Sequence, residues 1–165
     1  MRLSTLLIES LGVRGFFRYI KEFAKDMKQI QIISTMKFDI AKEYSFLQNL
    51  KAVFYAATSI EVVLKDMPKN KYGFYNHMAS ELVINKNNMS SAADTIAHEF
   101  THAVQYYLGY NFENYISYDK NKNNYNEYKM QLVEQEAFAM GQRWSVQSHS
   151  VQSYMRKQIK RGVAI

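Results

Sequence analysis

Residues 90–109 read SSAADTIAHEFTHAVQYYLG, and this stretch decides how the rest of the chain is interpreted. It begins with two serines and Asp94. A serine side chain can bind a free amide of the first helical turn, and an acidic group there suits the helix dipole. The stretch ends at Gly109, a residue type that commonly follows the last residue of a helix. The sequence therefore predicts a helix that ends near Leu108.

Two histidines lie four residues apart within this helix, because residues 98–102 read HEFTH. Residues at positions i and i+4 share one helical face, so the imidazoles of His98 and His102 can bind one cation. Glu99 would then lie beside the metal, as a candidate general base rather than a ligand. The alternative is a helix whose two histidines are ordinary surface or core residues.

A catalytic zinc site needs a third protein ligand and an open position. The candidates are Glu134 and Glu136, the last acidic residues of the chain, within the mostly apolar segment 132–140. We favour Glu136, because the small residues Ala137 and Ala139 that follow it allow close approach of two helices. Two residues apart on a helix, the glutamates face different ways. The one that binds no metal would be solvated or would orient a histidine through its outer ring nitrogen.

Apolar residues at helical spacing and runs rich in Val, Ile, Phe and Tyr predict the other elements. The predicted helices cover 3–30 (divided near Gly12 and Gly15), 36–49, 90–108, 127–148 and 150–163, and the predicted strands cover 51–57, 59–65, 72–77 and 81–85. This order predicts an α+β fold in one domain over 1–165. Its parts are a helical N-terminal part (1–50), a core (51–148) and a basic C-terminal helix or tail (149–165).

Composition excludes several classes of site. The 165 residues include no cysteine, which excludes disulfides, thiolate zinc sites, iron–sulfur clusters and a cysteine nucleophile. Hydrophobic residues make up 47% and charged residues 22%, as in ordinary globular proteins. No apolar run approaches the roughly twenty residues that span a bilayer, and the N-terminus makes a poor signal peptide. We therefore expect a cytoplasmic protein.

The net charge of +6 is concentrated at the ends of the chain, with +3 in residues 1–28, −2 in 29–136 and +5 in 137–165. The C-terminal cluster consists of Arg156, Lys157, Lys160 and Arg161. Such a cluster can bind an anionic partner such as nucleic acid. The alternative is a solvated helix whose cations suit the C-terminal end of the dipole.

Residues 98–105 (HEFTHAVQ) followed by 134–139 (EQEAFA) resemble the zincin metallopeptidases of the gluzincin-like type, with two histidines and one glutamate. The chain is similar to short members found in bacteria, phages and mobile elements, over roughly residues 72–145. The resemblance implies Zn²⁺ as cofactor, His98, His102 and Glu136 as ligands, Glu99 as general base, and a peptide or protein substrate. The metzincin continuation is excluded, because Gln105 stands where that class has glycine.

The resemblance also implies a zincin-like domain with a small, mostly antiparallel sheet, an active-site helix and a second helix that carries the glutamate. An edge strand in that fold pairs with extended substrate, and residues 81–85 have the expected position. The chain lacks the downstream histidine of the larger thermolysin-like members, and a tyrosine would take over the stabilisation of the oxyanion. The candidates are Tyr115, Tyr118, Tyr125 and Tyr128.

Two further expectations remain. Segment 109–128 is long for a loop in a compact domain, which predicts that it borders the substrate cleft. The alternative to a peptidase is a catalytically silent binding or structural protein with a zincin fold, such as a component of a phage or mobile element, that contacts nucleic acid through its basic ends. The retained Glu99 argues against this alternative, because a purely structural site does not need it.

Overall fold

Helices and a small mixed sheet make up the described part of this α+β chain. The structure is a computed structural model that describes residues 2–31 and 42–147. The strands are β1 (Glu61–Lys65), β2 (Gly73–Asn76) and β3 (Glu81–Asn85), in the order β1-β3-β2. β1 runs parallel to β3, and β2 runs antiparallel to it. The sheet is therefore mixed, which corrects the prediction of a mostly antiparallel sheet.

The position of β3 corrects a second prediction. Residues 81–85 were expected to form the edge strand, but β3 has a hydrogen-bonded neighbour on each side and is central. Its residues 82–85 are buried, as expected of a strand with sheet partners on both sides. The sequence 72–77 instead supplies the edge strand β2, whose four residues are intermediate or exposed.

Two N-terminal helices, α1 (Leu3–Ile30) and α2 (Lys42–Ser59), pack against each other. The predicted division of the first helix occurs at one glycine only: Gly12 has φ 68° and ψ 173° and kinks α1, whereas Gly15 stays helical. Glycine suits this position because it lacks the Cβ that penalises positive φ in other residues. Of the predicted helix 36–49, residues 36–41 lie outside the described residues.

The prediction of a strand over 51–57 is wrong, because these residues belong to α2. The segment is rich in strand-favouring residues, but its burial follows a helical period. Ala52, Val53, Ala56 and Ala57 are buried, whereas Phe54 and Tyr55 are exposed. Positions i, i+1, i+4 and i+5 lie on one side of a helix but on both faces of a strand, so burial of the apolar side favours the helix.

The helix predicted from residues 90–109 forms as α3 (Ala92–Tyr107) and packs against β2, β3 and α2. The expected serine cap is absent, since Ser91 makes no capping bond through its side chain and a 3₁₀ turn leads into the helix. The predicted helix 127–148 is divided into α4 (Tyr125–Met130) and α5 (Leu132–Gln147). Gln131 separates them, because its backbone is extended (φ −61°, ψ 138°).

An aromatic cluster joins the N-terminal helices to the helices of the motif. The ring of Phe23 in α1 lies 4.9 Å from Phe100 in α3 and 5.2 Å from Trp144 in α5. Asp26 forms an ion pair with Arg143 at 3.2 Å beside this cluster. These contacts place α1 behind α3 and α5.

No helix in the described residues combines the length and apolar character that a membrane crossing requires. The predicted C-terminal helix 150–163 lies outside the described part of the chain, and so do His149 and the cationic residues Arg156, Lys157, Lys160 and Arg161.

Candidate metal centre

Both histidines of the HEFTH motif lie on the face of α3 that meets α5. Their ring centroids are 4.9 Å apart, and their side chains are only 12% and 10% exposed. This proximity follows from the i, i+4 spacing of His98 and His102 on one helix. Phe138 of α5 packs edge-on against His98, with ring centroids 4.6 Å apart.

Glu134, in the first turn of α5, completes the group. Its Oε2 atom lies 3.2 Å from His98 Nε2, and its Oε1 atom lies 3.1 Å from His102 Nε2. One ligand atom from each of the three residues lies within 4.8 Å of the other two. Two imidazoles and one carboxylate are a common ligand set of catalytic zinc.

The buried carboxylate supports the fit to a metal ion. Glu134 is fully buried. Its Oε2 atom makes no hydrogen bond of normal geometry within the described chain. The atom nearest to this oxygen among the two histidines is His98 Nε2, at 3.2 Å. An imidazole whose Nε2 carries the lone pair gives the buried carboxylate no donor, which is costly, and a cation held by Glu134 and the two imidazoles would remove that cost. The three side chains therefore suit a metal ion in their donor types, burial and spacing.

The structure places Glu134, and not the expected Glu136, against the two histidines. Glu136 is also fully buried, but its carboxylate contacts Gln105 and Tyr110 instead of the two metal-facing ring nitrogens. Two positions along a helix rotate a side chain by about 200°, so only one of the two glutamates can face the histidines. The residues Glu134, Phe138 and Gly141 show which face this is, because their i, i+4, i+7 spacing forms one stripe.

Sequence reasoning missed this stripe. Phe138 and Gly141 both lie against His98, where a Cβ atom added to Gly141 would be 3.4 Å from the Cβ of His98. The small residues Ala137 and Ala139 gave the misleading signal. The sequence did contain a signal for the face of α5 that approaches α3. Gly141 lies within the helix and is aligned with Phe138 and Glu134 at helical spacing.

The charges within the group are complementary even without a metal. Burial alone would lower the pKa of His102, but its hydrogen bond to Glu134 and the charges of Glu99 and Glu134 raise the pKa to about 9. Burial would raise the pKa of Glu134, but the two histidines hold it well below its usual range. Both shifts have the same physical cause, because the carboxylate of Glu134 and the charged form of His102 stabilise each other.

Glu99 and a tyrosine border the same group. The Oε1 atom of Glu99 lies 4.0 Å from His98 Nε2, and its side chain is 12% exposed. The hydroxyl of Tyr115 donates to Glu134 Oε1 at 2.5 Å. Burial, followed by the charge of Glu134, raises the pKa of Tyr115 above its usual range, so the hydroxyl remains a donor.

Among the four candidate tyrosines, Tyr115 has the contact of 2.5 Å with Glu134, and a hydrogen bond to Glu134 also contributes to the raised pKa of Tyr128. Tyr128 packs against Tyr115 and Phe138, and burial, followed by the charge of Glu134, raises its pKa as well. Tyr118 and Tyr125 contact each other, with ring centroids 5.5 Å apart. All four tyrosines line the same cleft.

This cleft has a volume of about 730 Å³ and contains His98, Glu99 and His102 in its lining. One wall includes Gly73, Phe74 and Tyr75 of the edge strand β2. The opposite wall includes Phe112, Tyr115, Ser117 and Tyr118 of the segment between α3 and α4. The expectation that segment 109–128 borders the cleft therefore agrees with the structure.

A stack of three rings lies beside the group, with Phe112 6.3 Å from His102 between ring centroids. The ring of Tyr106 in α3 lies parallel to His77 on one face, with centroids 4.1 Å apart, and to Phe112 on the other, at 4.3 Å. His77, stacked in this way, lies outside the group of His98, His102 and Glu134. The stack connects the turn after β2, the helix α3 and the segment that forms the opposite wall.

No protein family model, curated protein or solved structure matches this chain.

Proposed function

We propose that this chain is a zinc-dependent metallopeptidase that hydrolyses peptide bonds of a protein or peptide substrate. The observation that carries the proposal is the buried His98–His102–Glu134 group at the base of an open cleft, with Glu99 beside it. A zinc ion bound there would supply a Lewis acid that activates water and polarises a peptide carbonyl. A site that only stabilises the fold needs neither an open cleft nor a neighbouring carboxylate.

The side chains around the group have distinct roles in this proposal. Glu99 takes the proton of the attacking water and passes it to the leaving amine, a role that suits a carboxylate at the edge of the ligand group. Tyr115 donates a hydrogen bond to the carbonyl oxygen as negative charge develops on it. Its raised pKa favours this role, because a tyrosinate has no proton to donate.

The edge strand β2 provides a binding surface for substrate. β2 has β3 as its sheet neighbour on one side and lines the cleft. An extended peptide can add to such an edge through backbone hydrogen bonds, with alternate side chains directed into pockets. The aromatic residues of both walls favour apolar or aromatic substrate side chains in these pockets.

The decisive experiment separates metal binding from turnover. The chain is purified without chelators, zinc is counted by mass spectrometry, and a peptide library is digested in parallel. We expect one zinc per chain in the parent, loss of zinc in His98→Ala and Glu134→Gln, and unchanged zinc in Glu127→Gln, whose carboxylate is exposed. Glu99→Gln is expected to retain zinc and to lose cleavage.

Two results would contradict the proposal in different ways. A parent chain that takes up no zinc on titration would exclude the metallopeptidase. A parent chain that holds one zinc but cleaves no peptide of the library, with or without cell lysate added, would favour the catalytically silent zincin-fold protein.

A further inference from the structure

A buried series of polar side chains extends from His102 away from the ligand group. His102 Nδ1 lies 2.9 Å from Gln105 Oε1. Gln105 Nε2 donates to Glu136 Oε1 and to the backbone oxygen of Val133, both at 3.0 Å. The hydroxyl of Tyr110 donates to Glu136 Oε2 at 3.3 Å. These bonds connect α3, the segment after it and α5 on the side of His102 that is opposite the metal position.

The series is isolated from solvent. Gln105 and Glu136 are fully buried, and Tyr110 is 6% exposed. Buried polar groups of this kind hold their orientation firmly, because a misdirected donor or acceptor finds no water to replace its lost partner. The direction of each hydrogen bond can therefore be derived from the chemistry of the groups at the far end.

The acceptors at the far end determine how the amide of Gln105 is oriented. A backbone oxygen and a carboxylate oxygen both accept hydrogen bonds, so the atom of Gln105 that faces Val133 and Glu136 must be the donor Nε2. The acceptor Oε1 then faces His102. Its Nδ1 atom must therefore carry a proton, which leaves the lone pair of Nε2 for a metal ion.

We propose that Gln105 and Glu136 are positioning residues that select the metal-binding tautomer of His102 and hold its ring toward the ligand group. Glu136, the third ligand expected from the sequence, thus acts one step further from the metal through Gln105. This proposal rests on the metal site of the proposed function, but it does not require peptidase activity.

Substitutions that reverse or remove this polarity test the proposal. Glu136→Gln is nearly isosteric and removes the negative charge that Gln105 Nε2 faces, so the backbone oxygen of Val133 remains as the one obligatory acceptor that orients the Gln105 amide. Gln105→Leu removes the hydrogen bonds that connect His102 with Glu136. The exchanged pair, Gln105→Glu with Glu136→Gln, restores the polarity toward His102, because the new carboxylate accepts from His102 and from the new amide. It leaves the backbone oxygen of Val133 without its donor, which should lower the stability of the chain but not the acceptor strength toward His102. Glu127→Gln and Gln135→Leu are the matched controls on or near the surface.

Zinc affinity by chelator competition is the first measurement, and urea unfolding of the metal-free chains is the second. We expect Glu136→Gln and Gln105→Leu to weaken zinc binding by roughly 10- to 100-fold. The exchanged pair should recover much of this loss, and both controls should bind like the parent. In the cobalt(II) forms, the shifted proton signal of His102 Nδ1 should exchange faster with water in Gln105→Leu than in the parent.

The results distinguish this proposal from the proposed function. Parent-like zinc affinity in both single variants would overturn the positioning role and leave the metallopeptidase intact. A loss of affinity that merely follows a loss of stability, with no recovery in the exchanged pair, would also overturn it. A parent chain that binds neither zinc nor cobalt would overturn both proposals, whereas a chain that binds metal but cleaves nothing would affect only the proposed function.

Discussion

Tyr115 donates its hydroxyl proton to Glu134 at 2.5 Å, which ties the segment after α3 to the first turn of α5. The contact brings one wall of the cleft to the edge of the ligand group. It also distinguishes Tyr115 from Tyr118 and Tyr125, which sequence reasoning left equivalent to it, whereas Tyr128 also interacts with Glu134. A donor at this place has a direct consequence for the proposed catalysis.

We expect Tyr115→Phe to lower kcat by about 100-fold while KM changes little, because the donor acts on charge that develops in the transition state. Zinc is supplied in excess, so that the parent and the variant are equally loaded. Tyr55→Phe, on the exposed side of α2 and outside the cleft lining, is the matched control and should leave kcat unchanged. Parent-like turnover by Tyr115→Phe would show that this hydroxyl has no role in catalysis.

Zinc binding should depend on pH through His102. In the metal-free chain the pKa of this imidazole is raised to about 9, so zinc must displace its proton at any lower pH. Glu134 contributes no proton there, because its pKa is lowered and the carboxylate is already ionised. We expect zinc affinity to rise about tenfold per pH unit between about pH 7 and pH 9. Chelator competition at several pH values, corrected for the protonation of the chelator, tests this slope, and a constant affinity would contradict it.

Gly141→Ala should destabilise the chain, although alanine is the better helix former by about 0.5–1 kcal/mol in the middle of a helix. An added Cβ would lie 2.9 Å from Asp94 Oδ1 and 3.3 Å from the backbone oxygen of Asp94. Overpacking of this kind typically costs about 1–3 kcal/mol, so we expect the clash to outweigh the gain in helix propensity. Urea unfolding of the metal-free protein measures the net effect.

The same substitution should weaken zinc binding, because α5 carries Glu134 and must move away from α3 to admit the methyl group. Ala139→Gly, on another face of α5, lowers helix propensity without this contact and serves as the control. An increase in the stability of Gly141→Ala would mean that Asp94 moves aside at little cost.

A hydroxamate directed at zinc should protect the segment between α3 and α4 from trypsin. Lys120 and Lys122 are exposed in this segment, and Tyr118, two residues before Lys120, lines the cleft. An occupied cleft should hold the wall in place and slow cleavage after both lysines. Cleavage after the exposed Lys86, in the turn that follows β3, provides the internal control. If trypsin cleaved after both lysines at the same rate with and without hydroxamate, the segment would have no role in ligand binding.

Much of the fold was predictable because local spacing controls it. The helix α3, the strand β3 and the end of α3 before Gly109 agree with their predicted positions within a few residues. The failure at residues 51–57 has a physical cause, since residues that favour strands were outweighed by burial with a helical period. The extended backbone at Gln131 was also missed, because no glycine or proline marks it.

The sequence by itself determined the pair His98 and His102 with Glu99 beside them, because i, i+4 geometry belongs to a single helix and needs no other part of the chain. Only the tertiary structure decided that Glu134 faces this pair and that Glu136 binds Gln105 behind it. That choice depends on the rotation of α5 about its own axis against α3. The tertiary structure also placed β2 at the sheet edge and Tyr115 beside Glu134. Strand order and the path of a long loop depend on contacts between distant segments, and no local pattern encodes these directly.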